Sequence, residues 1–467
     1  MGVVTIETDL EFDSRNQFRF PDVRRTSSFV FWNKTRVLIV ILSLLCLTVG
    51  QMNSLTFNFT VICMDDVVEE YHSTTNNQTE VHWMEDTGKK SLIFSGAAIG
   101  ALVGLIPSVP MFEHIGLRWT FTIFGIVSAA SSLLFPLAVS ISFEAVFIIR
   151  ILQGVGTAIL YTVVAYIPSV WAPKQEMGTF LAVLSCGFQL SNIICMPVSG
   201  ILCESDYGWR PIYYIFGVLT LLVHVVFFFF YADTPKKHCN VSQKELNLII
   251  ADKQDNKGRD PVPYLAMCSD VCVLSTWLAM CGRNVAFYVL VLYGPTYLRE
   301  VLHFDVKGTG WAAALPYISC AAVKFASGQL TDRLQMFSEK QKFITCTLIS
   351  MIGLAAGFVV MSITSNRTIA QIAYTMAITL SGITITGTIK CLQLRCQQHV
   401  HFATTVIAFA ACIMQFVVPL GVGYLCPNNT PEEWSLLFII VSGIVIVVNI
   451  PFPFLTTAEA ADYTKKI

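Results

Sequence analysis

The chain has 467 residues, of which 54% are hydrophobic and 13% are charged, and its formal net charge is −1. Ordinary soluble domains carry roughly a quarter charged residues, so this composition excludes a soluble globular protein. Many apolar residues fall in runs of about twenty, the length that a helix needs to cross a bilayer. We therefore expect an all-α membrane protein that is surrounded by the lipid bilayer and has no nucleic-acid partner.

The first 36 residues form a polar and basic segment, with Arg15, Arg19, Arg24, Arg25, Lys34 and Arg36. A second basic segment, 232–268, interrupts the apolar runs near the middle of the chain. Basic flanks mark the cytoplasmic side of a membrane protein, so 1–36 is the expected cytoplasmic tail and 232–268 the expected cytoplasmic linker. The first 30 residues contain no apolar central region, so we expect no cleavable signal peptide.

Twelve apolar runs predict twelve transmembrane helices. In chain order they are 37–62, 91–112, 119–139, 143–167, 178–202, 211–231, 271–298, 308–330, 342–362, 369–391, 402–425 and 435–455. The linker separates an N-terminal half, 37–231, from a C-terminal half, 269–455, and a cytoplasmic tail, 456–467, follows. The polar stretch 63–90 is the expected external loop, and its sequon makes Asn77 the expected glycosylation site.

A short sequence echo relates the two halves. The second run ends in Glu113-His114-Ile115-Gly116-Leu117-Arg118, and the eighth ends in Gly328-Gln329-Leu330-Thr331-Asp332-Arg333. Glu113 and Asp332 lie 219 residues apart, close to half the chain. The echo at equivalent helices predicts two related halves of six helices each.

Several motifs, taken in order, carry a family resemblance. They are Arg150-Ile151-Leu152-Gln153-Gly154, Trp171-Ala172-Pro173 with Glu176, Met196-Pro197-Val198-Ser199-Gly200, Phe287-Tyr288, Gly294-Pro295-Thr296-Tyr297-Leu298 and Ala314-Leu315-Pro316-Tyr317. With them, the chain resembles the major facilitator superfamily, and within it the anion/cation symporter family, which includes sialin, the vesicular glutamate transporters and the type I sodium-phosphate cotransporters. The resemblance covers about 37–455. It implies the major facilitator fold, with a substrate site near the membrane midplane between the halves.

The chain departs from the family pattern at positions connected with substrate and coupling. No Arg precedes Asn58-Phe59-Thr60 in the first run, and Thr157 and Ala165 occupy the places of the family's Glu and His. The resemblance implies a secondary transporter coupled to Na⁺ or H⁺. These departures leave two alternatives open, an uncoupled anion carrier and a non-transporting membrane sensor or receptor.

The ionisable side chains that fall inside the apolar runs are all cations: Arg150, Arg283, Lys324 and Lys390. Charge within the hydrocarbon region is costly, so each is a candidate functional residue. No Asp or Glu lies deep in a run to compensate them, and a cavity lined by unpaired cations suits an anion. Each cation also has a structural interpretation: Arg150 could brace helices, and Lys324 and Lys390 could extend towards the membrane surface.

Neutral polar side chains complete the predicted substrate site. Tyr288 and Tyr293 lie on the seventh run and could donate hydrogen bonds to a carboxylate or phosphate oxygen. Gln51 and Asn58 in the first run could replace the missing Arg, although hydrogen bonds between helices would also explain them. We interpret the charged residues at cytoplasmic helix ends as gating residues: Glu113, Arg118, Glu176, Asp332 and Arg333.

The remaining expectations concern chemistry that we do not find in the sequence. The 15 cysteines scatter through apolar runs, and we expect Cys63, Cys203 and Cys426 to be free thiols rather than disulfide partners. No pattern of a nucleophile with its base, of metal ligands or of a phosphate loop occurs, so we expect no enzyme, no metal and no cofactor beyond a coupling ion. The sequence predicts a monomeric transporter of a small anion, inorganic phosphate or an organic carboxylate, in the plasma membrane or an intracellular vesicle membrane.

Overall fold

We describe the structure from a computed structural model, which covers residues 31–74, 82–173, 175–250, 262–333 and 337–464. Within these ranges all regular secondary structure is helical. In the part of the chain that the structure describes, ten helices are long and apolar enough to cross a membrane, and two further helical segments lie at the predicted eighth and tenth positions. The chain is thus an all-α, multi-pass membrane protein. The predicted glycosylation site, Asn77, lies outside the described residues.

The spans of the N-terminal half come first in the chain. They are Thr35–Thr60, the continuous stretch Thr87–Ile141 that contains the second and third spans, Phe143–Thr157 with Leu160–Trp171, Met177–Ser185 with Gly187–Cys203, and Arg210–Phe230. Gly116 divides the second span from the third, because it adopts a φ of +78°. A side chain there would also meet the Asp233 carboxylate, which accepts a hydrogen bond from the Arg118 backbone N–H at 2.9 Å. This glycine explains the turn within the echoed sequence.

The spans of the C-terminal half follow the linker. They are Val271–Thr296 with the π-helical turn Tyr297–Val301, Val306–Arg333, Glu339–Ile363, Arg367–Ser381 continued by Ile385–Ile389 and Lys390–Cys396, Val400–Leu425, and Pro431–Asn449 with Pro451–Leu455. Shorter helices lie outside the spans: Asp65–Thr74, Pro235–Lys237, Gln243–Ile250, Tyr264–Ser269, Gln397–His399 and Asp462–Thr464. Most spans extend from one to several residues beyond the apolar runs, because helices continue into the polar flanks, whereas the first and sixth spans end one or two residues before their runs do.

Close helix packing in the N-terminal half depends on Gly154. A Cβ at Gly154 would overlap the carbonyl of Ala97, so the fourth span approaches the backbone of the second span directly. Small residues permit such an approach in membranes, where helices associate through packing contacts.

One face of the protein carries a disulfide between Cys63 and Cys203, with a Cα–Cα distance of 6.0 Å. The expectation that these two cysteines are free is wrong: the ends of the first and fifth spans meet, although 140 residues separate them in sequence. Cys426 is a free, buried cysteine, as expected. We call this the disulfide face, and the sequence predicts it to be external. The helix Asp65–Thr74 covers part of it, where Asp66 pairs with Arg210 at 3.2 Å.

The opposite face, which we call the basic face, holds the starts of the first and seventh spans. The sequence predicts that it is cytoplasmic. In the N-terminal half Arg36 pairs with Glu176 at 2.9 Å and with Glu245 at 3.4 Å. In the C-terminal half Asp270 pairs with Arg395 at 2.7 Å. The Arg36–Glu176 and Asp270–Arg395 pairs each join the start of a half to the region at or just beyond the end of its fourth span.

The Arg36–Glu176 and Asp270–Arg395 ion pairs occupy equivalent positions in the two halves, as the residues of the sequence echo do. Glu176 and Arg395 lie 219 residues apart, the separation that also divides Glu113 from Asp332. The charges are exchanged between the halves: the acid lies just beyond the fourth span in one half, and the base lies at the end of the corresponding span in the other.

The two halves meet at the disulfide face and near the middle of the spans. At the disulfide face the Thr87 hydroxyl donates to the Pro427 carbonyl at 2.7 Å, and the Ser95 hydroxyl donates to the Phe416 carbonyl at 3.0 Å. Among the described residues, we resolve no hydrogen bond or ion pair that joins the halves at the basic face. The described state is therefore closed at the disulfide face.

Candidate functional site

The clearest polar contact between the halves in mid-membrane joins Lys324 to Ser185. The Lys324 ammonium donates to the Ser185 hydroxyl at 2.7 Å. Ser185 lies in the fifth span, next to Cys186, where the helical hydrogen-bond pattern is locally distorted while the backbone stays in the α-helical region. The Lys324–Ser185 hydrogen bond therefore marks the region between the halves.

Arg283 lies in the same region, on the seventh span. Its guanidinium donates to the Asn284 amide oxygen at 3.1 Å and lies 4.7 Å from the centre of the Phe287 ring. Its Nε–H has no hydrogen-bond partner among the described residues. Arg283 and Lys324 are close enough to repel each other electrostatically, and both also act on Cys320. The structure thus brings two of the predicted cations together.

Two tyrosines from opposite halves complete this central site. Tyr288 of the seventh span interacts through its hydroxyl with Tyr161 of the fourth span, and Arg283 acts electrostatically on both. Tyr161 stacks on Phe188 with ring centres 4.7 Å apart, yet it remains 55% exposed. Tyr161 therefore contacts both halves and is still accessible to solvent, as expected for a residue that lines an open cavity. We define Tyr161, Ser185, Arg283, Tyr288 and Lys324 as the central site.

The electrostatics of the central site are one-sided. Among the described residues, no carboxylate acts on Arg283 or Lys324; they lie near cysteine thiols and tyrosine hydroxyls, and their hydrogen bonds go to the neutral side chains of Asn284 and Ser185. Two cations without counter-ions are costly inside a membrane unless water or a bound anion compensates them. Arg offers a planar fork of donors, Lys a point charge, and Tyr and Ser additional hydroxyl donors. This set of groups can bind a small carboxylate or phosphate.

Arg150, also a predicted substrate residue, lies in a different environment. It is 1% exposed and donates to the Ser54 carbonyl at 3.0 Å and to the Gln153 side-chain oxygen at 2.8 Å. Its Nε–H donates to the Ile93 carbonyl at 3.3 Å. These contacts join the first, second and fourth spans of the N-terminal half, as expected for a bracing residue.

The other predicted substrate residues are dispersed. Asn58 is 1% exposed, and its side-chain oxygen has no hydrogen-bond partner among the described residues. Gln51 is half-buried on the first span. Lys390 lies 4.0 Å from Glu339 at the basic face, as an extended lysine would. Tyr293 lies nearer the disulfide face than Tyr288 and lines a separate cavity there.

Two of the predicted gating residues, Arg118 and Glu176, make contacts within their own half. Arg118 donates to the Phe228 carbonyl at 2.6 Å, and its guanidinium lies 4.5 Å from the centre of the Phe228 ring. Glu176 accepts hydrogen bonds from Arg36, which lowers its pKa below the ordinary value. Glu113 is exposed. Asp332 and Arg333 end the eighth span, and their side chains lie outside the described residues.

Sequence reasoning missed Tyr161 and Ser185. Neither residue is ionised or part of a motif, and the partner of each lies in the other half of the chain. Tyr161 and Ser185 are two of many tyrosines and serines in the apolar runs, so residue type alone does not select them.

The chain is similar to known proteins over most of its length. A sequence model described as Major Facilitator Superfamily matches residues 43–422. Human sialin is 27% identical over 402 residues, which cover 83% of this chain and 79% of sialin. Human sodium-dependent phosphate transport protein 1 is 25% identical over 460 residues, or 88% of this chain and 94% of that protein. Vesicular glutamate transporter 1 of Xenopus tropicalis is 23% identical over 421 residues, or 87% of this chain and 72% of that protein.

Solved structures share the fold. A bacterial homologue of the human lysosomal transporter Spinster, in an inward-facing and unoccupied conformation, superposes with a TM-score of 0.67 at 12% identity. The match covers 90% of this chain and 97% of that structure. A D-xylose–proton symporter gives a TM-score of 0.66 at 13% identity, covering 87% of this chain and 96% of that structure. At these identities the likeness concerns the fold alone.

Proposed function

The chain belongs to the major facilitator superfamily, and from that premise we propose that it is a secondary transporter of a small anion. The substrate is inorganic phosphate or an organic carboxylate, and the central site binds it. The protein is thus a membrane transporter and not an enzyme. Transport proceeds by alternating access, in which the two halves rock around a site that each face reaches in turn.

The observation that supports this proposal most strongly is the unpaired charge of Arg283 and Lys324. Since no carboxylate among the described residues compensates them, a bound anion supplies the missing charge. A cationic or neutral substrate would leave that cost unchanged. Two of the relatives are named for an anion, glutamate in one case and phosphate in the other.

The contacts between the halves support alternating access. The described state is closed at the disulfide face, and the bond between Lys324 and Ser185 joins the halves directly. To open the disulfide face, the halves must exchange the contacts of Thr87 and Ser95 for contacts at the basic face. An anion that binds Lys324 competes with Ser185 and so links substrate binding to this rearrangement.

We propose symport with Na⁺ or H⁺ as the coupling mode. Uncoupled anion movement is the alternative, because the described spans hold no Asp or Glu away from their ends. A membrane potential supplies roughly 2.3 kcal/mol per elementary charge per 100 mV, enough to drive an anion without a coupling ion. We also propose that the protein acts as a monomer.

Uptake of radiolabelled anions into proteoliposomes tests the proposal. The panel contains phosphate, mono- and dicarboxylates, under imposed Na⁺, H⁺ and voltage gradients in turn. We expect uptake of at least one anion, and the gradient that drives it identifies the coupling. Binding without uptake of any anion would favour the sensor. The absence of both binding and uptake for every anion in the panel would contradict the proposal.

The variant Arg283→Gln examines the site itself. A hydrogen bond to a charged group contributes about 1.5–3 kcal/mol, so we expect the half-saturating anion concentration to rise about tenfold or more. Arg367→Gln is the matched control, because Arg367 is exposed and lies against the Phe304 ring away from the central site. Normal uptake by Arg283→Gln would remove Arg283 from the site.

A further inference from the structure

A second cavity lies at the disulfide face, apart from the central site. Its volume is about 840 Å³, within the range of small-molecule sites in proteins. Both halves line it: the N-terminal half contributes the end of the first span, the helix Asp65–Thr74 and the start of the second span. The C-terminal half contributes the ends of the seventh and eleventh spans. We call it the outer cavity.

Two aromatic rings from opposite halves line the inner end of the outer cavity. Phe94 and Tyr293 lie with their ring centres 4.6 Å apart. Tyr293 is 6% exposed, and its hydroxyl interacts with the side chain of Ser91, which lies in the other half and also lines the cavity. The Thr296 hydroxyl, one turn further on, is buried and has no hydrogen-bond partner among the described residues. Buried polar groups in native structures are almost always satisfied, so the Thr296 hydroxyl points to a missing ligand or water.

The charged residues of the outer cavity are mainly acidic. Asp65, Glu69, Glu85 and Glu300 line it, against the two permanent cations Lys90 and Arg299. The charged lining is thus opposite in sign to that of the central site. An anion would be repelled here, and a cation would be attracted.

Most of these acids have no ion-pair partner. Arg299 donates to the Phe304 carbonyl at 2.9 Å, and Glu85 lies 3.3 Å from His72. Among the described residues Asp65, Glu69 and Glu300 form no ion pair. Lys90 is attracted electrostatically by the carboxylates of Glu300, Glu85 and Asp65, but it forms no ion pair with any of them. Space for a ligand therefore remains between the charges.

The apolar walls determine what kind of cation fits. Alternating with the acids, the cavity presents Val61, Ile62, Val68, Met84, Phe94 and Val422. The volume far exceeds that of a bare metal ion, and aromatic rings attract ammonium groups through their faces. We propose that the outer cavity binds an organic ammonium ion with an apolar arm. The ammonium lies among Asp65, Glu69 and Glu300, and the apolar arm packs towards Phe94.

Calorimetric titration of the purified, detergent-solubilised full chain tests this site, with phenethylammonium as the probe. Phenylacetate and phenethyl alcohol are the anionic and neutral comparisons, and they also report partition into the detergent. We expect phenethylammonium to bind at least tenfold more tightly than either. Equal affinity for the three compounds would overturn the proposal.

Three variants make the test specific to the outer cavity. Glu300→Gln should weaken phenethylammonium binding several-fold, whereas Lys90→Met should strengthen it, because a like charge is removed. Glu144→Gln is the matched control, since Glu144 is an exposed acid at the same face but outside the cavity. Unchanged affinity in both cavity variants would overturn the proposal. Because these variants move affinity in opposite directions, a general loss of folding cannot imitate the expected result.

This binding test is independent of the proposed function, since it requires no flux. Phenethylammonium could bind as described in a protein that transports no anion. Equally, anion uptake that depends on Arg283 could occur without any phenethylammonium binding. The failure of one proposal is therefore distinguishable from the failure of the other.

Discussion

Arg150 and Arg283 are both intramembrane arginines, and their partners separate their roles. Arg150 donates to two backbone carbonyls and to Gln153, whereas Arg283 keeps a buried Nε–H without an acceptor. A satisfied arginine connects helices. An arginine with a free N–H donor beside a second cation, as Arg283 is beside Lys324, can still donate a hydrogen bond to a ligand.

Replacing Arg150 should therefore affect stability. Arg150→Met leaves the Ser54 carbonyl and the Gln153 oxygen without their donor, at a cost of about 1–3 kcal/mol for each buried acceptor. We expect a clearly lower melting temperature in detergent. Arg283→Met, the matched comparison, should melt close to the wild type. If Arg283→Met melted clearly below Arg150→Met, Arg283 would be the bracing residue and Arg150 the candidate for ligand binding.

The pair of Arg36 and Glu176 predicts a pH dependence. The hydrogen bond from Arg36 lowers the pKa of Glu176 below its ordinary value of 4.5. A carboxyl group whose pKa is lower in the folded than in the unfolded protein stabilises the folded state at pH values above its unfolded pKa. This contribution disappears as the pH falls through the folded pKa. Glu176→Gln should therefore lower the melting temperature at pH 7, and the difference from wild type should shrink below pH 4.5. A difference that does not depend on pH would show that packing dominates at this position.

Among the elements, the fourth span shows how much the sequence can predict. The motif from Arg150 to Gly154 places a glycine within this span, and in the structure Gly154 contacts the Ala97 carbonyl. A small residue acts through its own size, so a single span carries the signal. The disulfide between Cys63 and Cys203 was missed, because its formation depends on how the first and fifth spans pack.

Gly154→Val tests the packing of the second span on the fourth. The added side chain must displace the Ala97 backbone, and overpacking typically costs about 1–3 kcal/mol. We expect a lower melting temperature and a lower yield of folded protein. Gly443→Val is the control, because a Cβ at Gly443 meets nothing within 4 Å. Equal effects of the two variants would show that valine itself is unfavourable.

At the scale of the whole molecule, the sequence predicted the architecture far better than the site. Hydrophobic run length and the basic segments suffice for twelve spans in two halves, because the bilayer fixes the length and polarity of each helix. The central site instead depends on which faces of the two halves meet. Arg283 and Lys324 could be selected because charge is rare within apolar runs, whereas Tyr161 and Ser185 could not.

Alternating access requires that the two halves exchange contacts at the disulfide face for contacts at the basic face. Distances between the halves at each face measure this exchange directly. Spin labels on noncanonical amino acids avoid the free cysteines. One pair of labels replaces Ile115 and Phe337 at the basic face, and another replaces Tyr207 and Tyr424 at the disulfide face; all four residues are exposed. Double electron–electron resonance then compares the protein with and without the anion that the uptake panel identifies.

We expect the transported anion to shift part of the population towards a shorter distance at the basic face and a longer one at the disulfide face. In Arg283→Gln the same shift should require a correspondingly higher anion concentration. Distances that stay unchanged at a saturating concentration of a transported anion would contradict the account.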